Sequence, residues 1–91
     1  MRKILELIIH EYENALVVRK YRLKRDEFIY LYLTAQGSHH LDLMDYLDCK
    51  KDKLYRLRAN IVRKLRANNL NHALVIYAQI KTIPGSEKIT L

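Results

Sequence analysis

The stretch Lys50–Arg66, KKDKLYRLRANIVRKLR, decides the fold that we predict for this chain. Its apolar residues recur every three or four positions: Leu54, Leu57, Ile61 and Leu65. On a helix this spacing forms one stripe to be buried. Eight of the seventeen residues are Lys or Arg, and only Asp52 is acidic. The pattern predicts a helix that docks by one stripe and is basic elsewhere, which suits duplex DNA because the major groove admits an α-helix.

The geometry of a helix, at about 100° per residue, identifies the side chains that point away from this stripe. The outward positions are Asp52, Tyr55, Arg56, Ala59, Arg63 and Arg66. Flanking cations lie on one side at Lys51 and Arg58, and on the other at Lys53 and Lys64. The alternative interpretation is a charged face that is merely solvated.

Composition limits the class of protein. The chain has 91 residues, enough for one small domain, and a net charge of +7. The charge is clustered, with a second group of five cations at 19–25, and clustering favours a defined binding face. The apolar start carries Glu6, His10, Glu11 and Glu13, which argues against a signal peptide, and no apolar run reaches membrane-spanning length. We therefore expect a cytoplasmic protein without a membrane partner.

Metal binding and catalysis find little support. Cys49 is the only cysteine, so no disulfide can form within one chain. His39 and His40 point about 100° apart on a helix, and no other ligand joins them at metal-binding spacing. Cys49 with either histidine is the only catalytic candidate, and a cysteine at this apolar position is expected to be buried and inert. The expectation is a protein that is not an enzyme, with no cofactor, metal or small-molecule ligand.

Periodicity along the whole chain predicts an all-α fold, a small bundle of about five helices. The predicted helices cover 3–20, 26–34, 39–47, 51–66 and 70–81. Gly37 fits a left-handed helix end, and Pro84-Gly85-Ser86 is read as the end of the fold. The third and fourth helices, joined by the turn 48–50, form a helix-turn-helix pattern. The domain division is an N-terminal amphipathic helix at 1–20, a helix-turn-helix domain at 21–82, and a flexible tail at 83–91.

The first predicted helix has a broad apolar side, formed by Ile4, Ile8, Tyr12, Ala15 and Val18 and widened by Leu5, Ile9 and Leu16. Two interpretations stay open, because periodicity shows a buried face but not what buries it. The helix either packs on its own domain or pairs with the same helix of a second chain.

Residues 23–80 resemble the LuxR/GerE-type helix-turn-helix domain of bacterial transcription regulators, without a gap. That family begins with a leucine and a Thr-x-Arg-Glu motif, followed by an apolar helix ending in Ala-x-Gly. The matching residues here are Leu23, Glu27, Leu31, Leu33, Ala35 and Gly37. In the scaffold helix, Asp42, Leu43 and Leu47 keep the family's character. The strongest match is Asn60-Ile61-x-Arg63-Lys64-Leu65, and Asn69 and Ala73 follow in register.

The resemblance implies that the helix at about 51–66 enters the major groove, with base contacts from Tyr55, Arg56 and Ala59. Arg56 is the expected base reader, because a guanidinium can bond guanine O6 and N7 together. The residues expected at phosphates are Lys50, Lys51, Lys53, Arg58, Asn60, Arg63 and Lys64, with a support of the turn as the alternative role for Asn60. The chain departs from the family at the recognition helix, where Lys53 replaces a hydroxyl residue and Tyr55 replaces a lysine.

Members of the family pair through their last helix and bind inverted half-sites. The residues expected to form a homodimer are Leu70, Ala73, Leu74, Tyr77, Ile8 and Tyr12. The first hypothesis is thus a small bacterial transcription regulator that binds duplex DNA as a homodimer. The alternative is a protein-interaction module, an anti-activator or heterodimer partner, that binds another transcription regulator.

Overall fold

A computed structural model of the chain describes the backbone of residues 2–90 and the side chains of residues 5–80. Within this part of the chain the regular structure is entirely helical, which confirms the predicted all-α class. There are six helices in residues 2–90: α1 Arg2–Asn14, α2 Leu16–Tyr21, α3 Arg25–Ala35, α4 His40–Leu47, α5 Lys51–Lys64 and α6 Leu70–Thr90.

Helix α3 is the centre of the bundle. It is buried at Glu27–Leu31 and at Leu33, so nearly its whole circumference is covered. Helices α1, α4, α5 and α6 all pack against it. The Phe28 ring lies 6.0 Å from Tyr12, 6.1 Å from Tyr32 and 6.2 Å from Tyr77, between ring centroids. Aromatic rings from three helices therefore converge on one residue of α3.

Three of the turns between helices close with the same hydrogen-bond pattern. After α3, Ser38 N–H donates to Leu33 C=O and Gly37 N–H to Thr34 C=O, both at 3.0 Å. This is the Schellman motif, whose left-handed residue is Gly37 at φ +91°, as the sequence predicted. The same motif ends α4 at Asp48 (φ 50°) and α5 at Arg66 (φ 55°). Helix α2 also ends on a left-handed residue, Arg22 (φ 55°).

The single first helix predicted over 3–20 is wrong, because the chain breaks at Ala15. There the backbone is extended, with φ −76° and ψ 129°, and α2 begins at the next residue. The Asn14 side chain donates to the His10 carbonyl at 3.0 Å, a local bond of the kind that competes with helix continuation. The break lets α2 turn toward α6, against which it packs, and buries Val17.

The predicted end of the last helix near residue 81 is also wrong, since α6 runs to Thr90 through Pro84 and Gly85. A proline removes one donor from the helix ladder, and a glycine costs about 1 kcal/mol relative to alanine. Both residues weaken a helix, but neither forbids one. The segment 83–91, predicted as a tail, is therefore helical in backbone up to residue 90, and Leu91 lies outside the described residues.

The predicted buried stripe of α5 is confirmed: Leu54, Leu57, Ile61 and Leu65 are all buried.

The predicted dimer residues differ in their burial. Three of them, Ile8, Ala73 and Tyr77, lie in the core of their own chain, so they cannot also form the surface of a dimer. The other three, Tyr12, Leu70 and Leu74, are half-buried. Ile4, from the apolar side of the first predicted helix, has its side chain outside the described residues. In the α1 segment, tertiary packing thus buries the face that the sequence left open to two interpretations.

Candidate nucleic-acid interface

The outer face of α5, which we define as Tyr55, Arg56 and Ala59, is exposed. Tyr55 retains 49% of its accessible surface. The face lies opposite the buried stripe, through which α5 packs on α3, α4 and α6. The fourteen residues of α5 form a rod about 21 Å long. A ligand that extends along the helix axis can therefore contact both the first turn and the outer side of α5.

The aromatic ring on the outer face is held by a neighbouring cation. The Arg58 guanidinium lies over the Tyr55 ring, 5.6 Å from its centroid. The two residues are three apart on the helix, a spacing that places side chains next to each other. A cation over a ring is worth about 0.5–1 kcal/mol at an exposed site. The pair therefore presents a polar hydroxyl and a guanidinium together on the surface of α5.

The predicted phosphate-contacting residues divide into two groups. Four of them are exposed and surround the outer face: Lys50, Lys51, Arg58 and Arg63. The other three, Lys53, Asn60 and Lys64, are partly covered and hydrogen-bonded within the chain. The Asn60 Oδ1 accepts from Arg63 Nη2 at 3.3 Å, so this amide oxygen bonds along its own helix.

Lys53 lies at the edge of the interface and is already paired. Its Nζ is 2.9 Å from Asp26 Oδ2, in the first turn of α3, with both side chains partly exposed. This hydrogen bond to the carboxylate raises the pKa of Lys53, and the ammonium stays charged. The two residues, with Arg56 and Asn60, line an open groove of about 430 Å³ between α3 and α5. A phosphate must compete with Asp26 for this lysine.

Lys64 is among the predicted phosphate contacts, and in the structure its ammonium is engaged within the chain. Its Nζ lies 2.7 Å from Oε1 of Glu27, whose side chain is only 1% exposed. The same Glu27 oxygen accepts the Lys24 backbone N–H at 2.8 Å. A buried carboxylate needs a paired charge and hydrogen bonds to be tolerated. Lys64 supplies the charge, so it ties α5 to the start of α3.

A second open groove, of about 740 Å³, runs from the outer face toward the start of α6. Its lining includes Tyr55, Arg58, Ala59, Arg63 and Asn69. Asn69 Oδ1 accepts the His72 backbone N–H at 2.8 Å and so caps α6. This arrangement extends the exposed polar surface beyond α5 itself.

Sequence reasoning missed two partners at this interface. Asp26 and Glu27 lie in the first turn of α3, where negative charge favours a helix N-terminus. Their pairing with Lys53 and Lys64 joins positions 27 and 37 residues apart, which no local pattern reveals. The only available signal was indirect, because Glu27 directly precedes the apolar run 28–33, and a carboxylate buried there requires a cation.

Comparison with protein-family models, with curated proteins and with solved structures finds no match to this chain. The resemblance to the LuxR/GerE domain therefore stays a prediction. Among the described residues, no group of three or more His, Cys, Asp or Glu side chains is placed to hold a metal ion. The described helices include none with both the length and the apolar character needed to cross a membrane.

Proposed function

We propose that this chain binds duplex DNA with α5 in the major groove, as a small bacterial transcription regulator. The observation that carries the proposal is the exposed outer face of α5, which α1 does not cover. Four exposed cations lie around it: Lys50, Lys51, Arg58 and Arg63. A major groove about 12 Å wide accepts such a helix. The chain's net charge of +7 adds attraction for a polyanion at long range.

Different residues contact the bases and the phosphates in this proposal. Arg56 is the base reader, with Tyr55 and Ala59 beside it, since a guanidinium can bond guanine O6 and N7 together. Lys50, Lys51, Arg58 and Arg63 hold phosphates, which fix position without reading sequence. Lys53 joins them only when it leaves Asp26.

Pairing of two chains on an inverted repeat is part of the proposal. Two modest half-site affinities then act together. With Ile8, Ala73 and Tyr77 in the core, the half-buried Leu70 and Leu74 are the predicted dimer residues that α6 still offers. Selection from random duplexes, followed by footprinting, reports both half-site spacing and symmetry.

Salt dependence is the first test of the proposal. Four exposed cations in each chain give eight phosphate contacts in a dimer. These eight contacts alone give a slope of log affinity against log salt of about −7, a loss of about 10⁴ between 50 and 200 mM. A monomer with four contacts loses about 10². Fluorescence anisotropy with a selected duplex measures the slope, and a titration that is flat in salt refutes the proposal.

Two matched variants separate reading from positioning. Arg56→Ala is expected to relax base preference at one position by about 1–3 kcal/mol of discrimination. Lys51→Ala is expected to weaken all duplexes alike and to reduce the salt slope by about 1. Arg19→Ala, which removes one exposed charge from α2, is the control. Unchanged base preference in Arg56→Ala removes Arg56 from the reading role.

A protein-interaction module is the second candidate, favoured by four large apolar side chains at the surface. Leu7, Leu16, Leu41 and Val75 are between 51% and 76% exposed. Such residues scattered singly are common on soluble proteins, so they carry less weight than the face of α5. Capture of another transcription regulator, together with no footprint on any selected duplex, favours this candidate.

A further inference from the structure

The ends of α2 and α5 meet at a corner of the molecule. Lys64 Nζ donates to the Arg22 carbonyl oxygen at 3.1 Å, across 42 positions of sequence. The same ammonium pairs with buried Glu27 at 2.7 Å. Lys64 is therefore neutralised, and its role is to fix the end of one helix beside the end of the other.

Both helix ends at this corner carry an arginine where the backbone is left-handed. Arg22 and Arg66 have φ 55° each, and both side chains are exposed. For residues other than glycine or asparagine this conformation costs about 1–2 kcal/mol. Neither position gains burial in return. The exposed guanidinium is thus the property that distinguishes these residues from a better-fitting glycine.

Between them lies an open groove of about 580 Å³. The residues that line it are Lys20, Tyr21, Arg22, Lys64, Leu65 and Arg66. None of these lining residues is acidic, and among the described ion pairs neither arginine has a carboxylate partner. The Lys20 ammonium lies 5.6 Å from the centroid of the Tyr21 ring, which holds it at the edge of the groove. We define Lys20, Arg22 and Arg66 as the α2–α5 corner.

We infer that the α2–α5 corner binds backbone phosphates of the duplex, outside the groove that α5 occupies. Three cations that converge on an open groove without a competing carboxylate match a run of phosphates by charge. The corner lies at the last turn of α5, about 21 Å along the axis from Lys51. This distance exceeds the width of the major groove, about 12 Å. The corner therefore meets flanking backbone, and the inference rests on the proposed function.

Contact with phosphate predicts affinity without sequence preference. The double variant Arg22→Asn with Arg66→Asn removes two charges and keeps residues that tolerate the left-handed conformation. Its salt slope is expected to be shallower than wild type by about 1.8 for each chain bound, with base preference unchanged. Arg19→Asn, an exposed cation of α2 outside the groove, is the control and keeps the wild-type slope. Circular dichroism and melting confirm that each variant is folded.

Duplex length locates the contact. On a selected duplex with long flanks, the double variant binds more weakly than wild type. On the same site trimmed to the bases read by α5, the two proteins bind equally. Competition with inorganic phosphate at matched ionic strength separates backbone recognition from a site for the free anion. Added phosphate lowers the affinity for the long duplex only if the free anion itself fills the corner.

The outcomes separate this inference from the proposed function. A double variant with the wild-type slope on long duplexes overturns the inference alone, as does an equal loss on trimmed and long duplexes, or displacement by free phosphate. A wild-type protein without salt-dependent duplex binding overturns the proposed function, and the corner with it.

Discussion

Replacement of Lys64 by methionine tests whether this residue is structural or binds a ligand. Methionine has a similar length and helix propensity, so α5 itself is little affected. The change leaves Glu27, whose side chain is 1% exposed, without its cation. The carboxylate keeps one neutral donor, the Lys24 backbone N–H. The expected result is a marked loss of folding stability.

The magnitude follows from the burial of the pair. Removal of one partner of a buried ion pair costs about 3–5 kcal/mol, because a charge stays buried and uncompensated. Lys64 is 22% exposed, and water can approach the site from its side, so the lower end of about 3 kcal/mol is expected. A chain of 91 residues has a total stability of roughly 5–14 kcal/mol. Lys64→Met therefore removes a large fraction of it.

Urea denaturation followed by circular dichroism measures this loss, and a double-mutant cycle assigns it to the pair. Glu27→Gln alone is expected to cost less, about 1 kcal/mol, because Lys64 can then turn to water. The double variant should recover part of the loss seen in Lys64→Met, with a coupling energy above about 1 kcal/mol. Lys51→Met, an exposed lysine of the same helix, is the control and should stay within about 0.5 kcal/mol of wild type.

One result refutes this reasoning. If Lys64→Met unfolds with the stability of wild type and instead binds duplex DNA with a salt slope reduced by about 1, Lys64 contacts phosphate. The original sequence prediction would then be right, and the ion pair would be incidental to the fold.

The other predictions concern charge and packing elsewhere in the fold. Asp26→Asn frees Lys53 for phosphate, so anisotropy should show tighter duplex binding and a salt slope steeper by about 1, and weaker binding contradicts the assignment. Ile61→Ala, at 0% exposure, should cost about 2–5 kcal/mol in urea denaturation, and a loss below about 1 kcal/mol places Ile61 outside the core. Burial raises the pKa of Tyr77 from 10.0 to about 12, so its neutral form favours the folded state. Stability should therefore fall by about 2 kcal/mol as pH rises from 10 to 12, and Tyr77→Phe should show a smaller fall.

Local pattern was sufficient for the helices and for the orientation of α5. The spacing of Leu54, Leu57 and Ile61 identifies the buried side, because a helix repeats every 3.6 residues whatever it packs against. The exposed face of Tyr55 and Arg56 follows from the same rule. Gly37 also was predictable, since a left-handed helix end favours glycine.

Local pattern failed where competing interactions are weak or distant. The break at Ala15 depends on a single Asn14 side-chain bond and on the core available to Val17, which periodicity does not contain. The passage of α6 through Pro84 and Gly85 shows that residues which weaken a helix do not fix its end.

By itself the sequence determined an all-α chain with one cationic helix and one apolar stripe, because both properties repeat along a helix at fixed spacing. Only the tertiary structure decided which cations stay free. It pairs Lys53 with Asp26 and Lys64 with Glu27, and it brings Arg22 next to the end of α5. Such pairings depend on how helices cross in space, and charge partners distant in sequence leave no periodic signal in the chain.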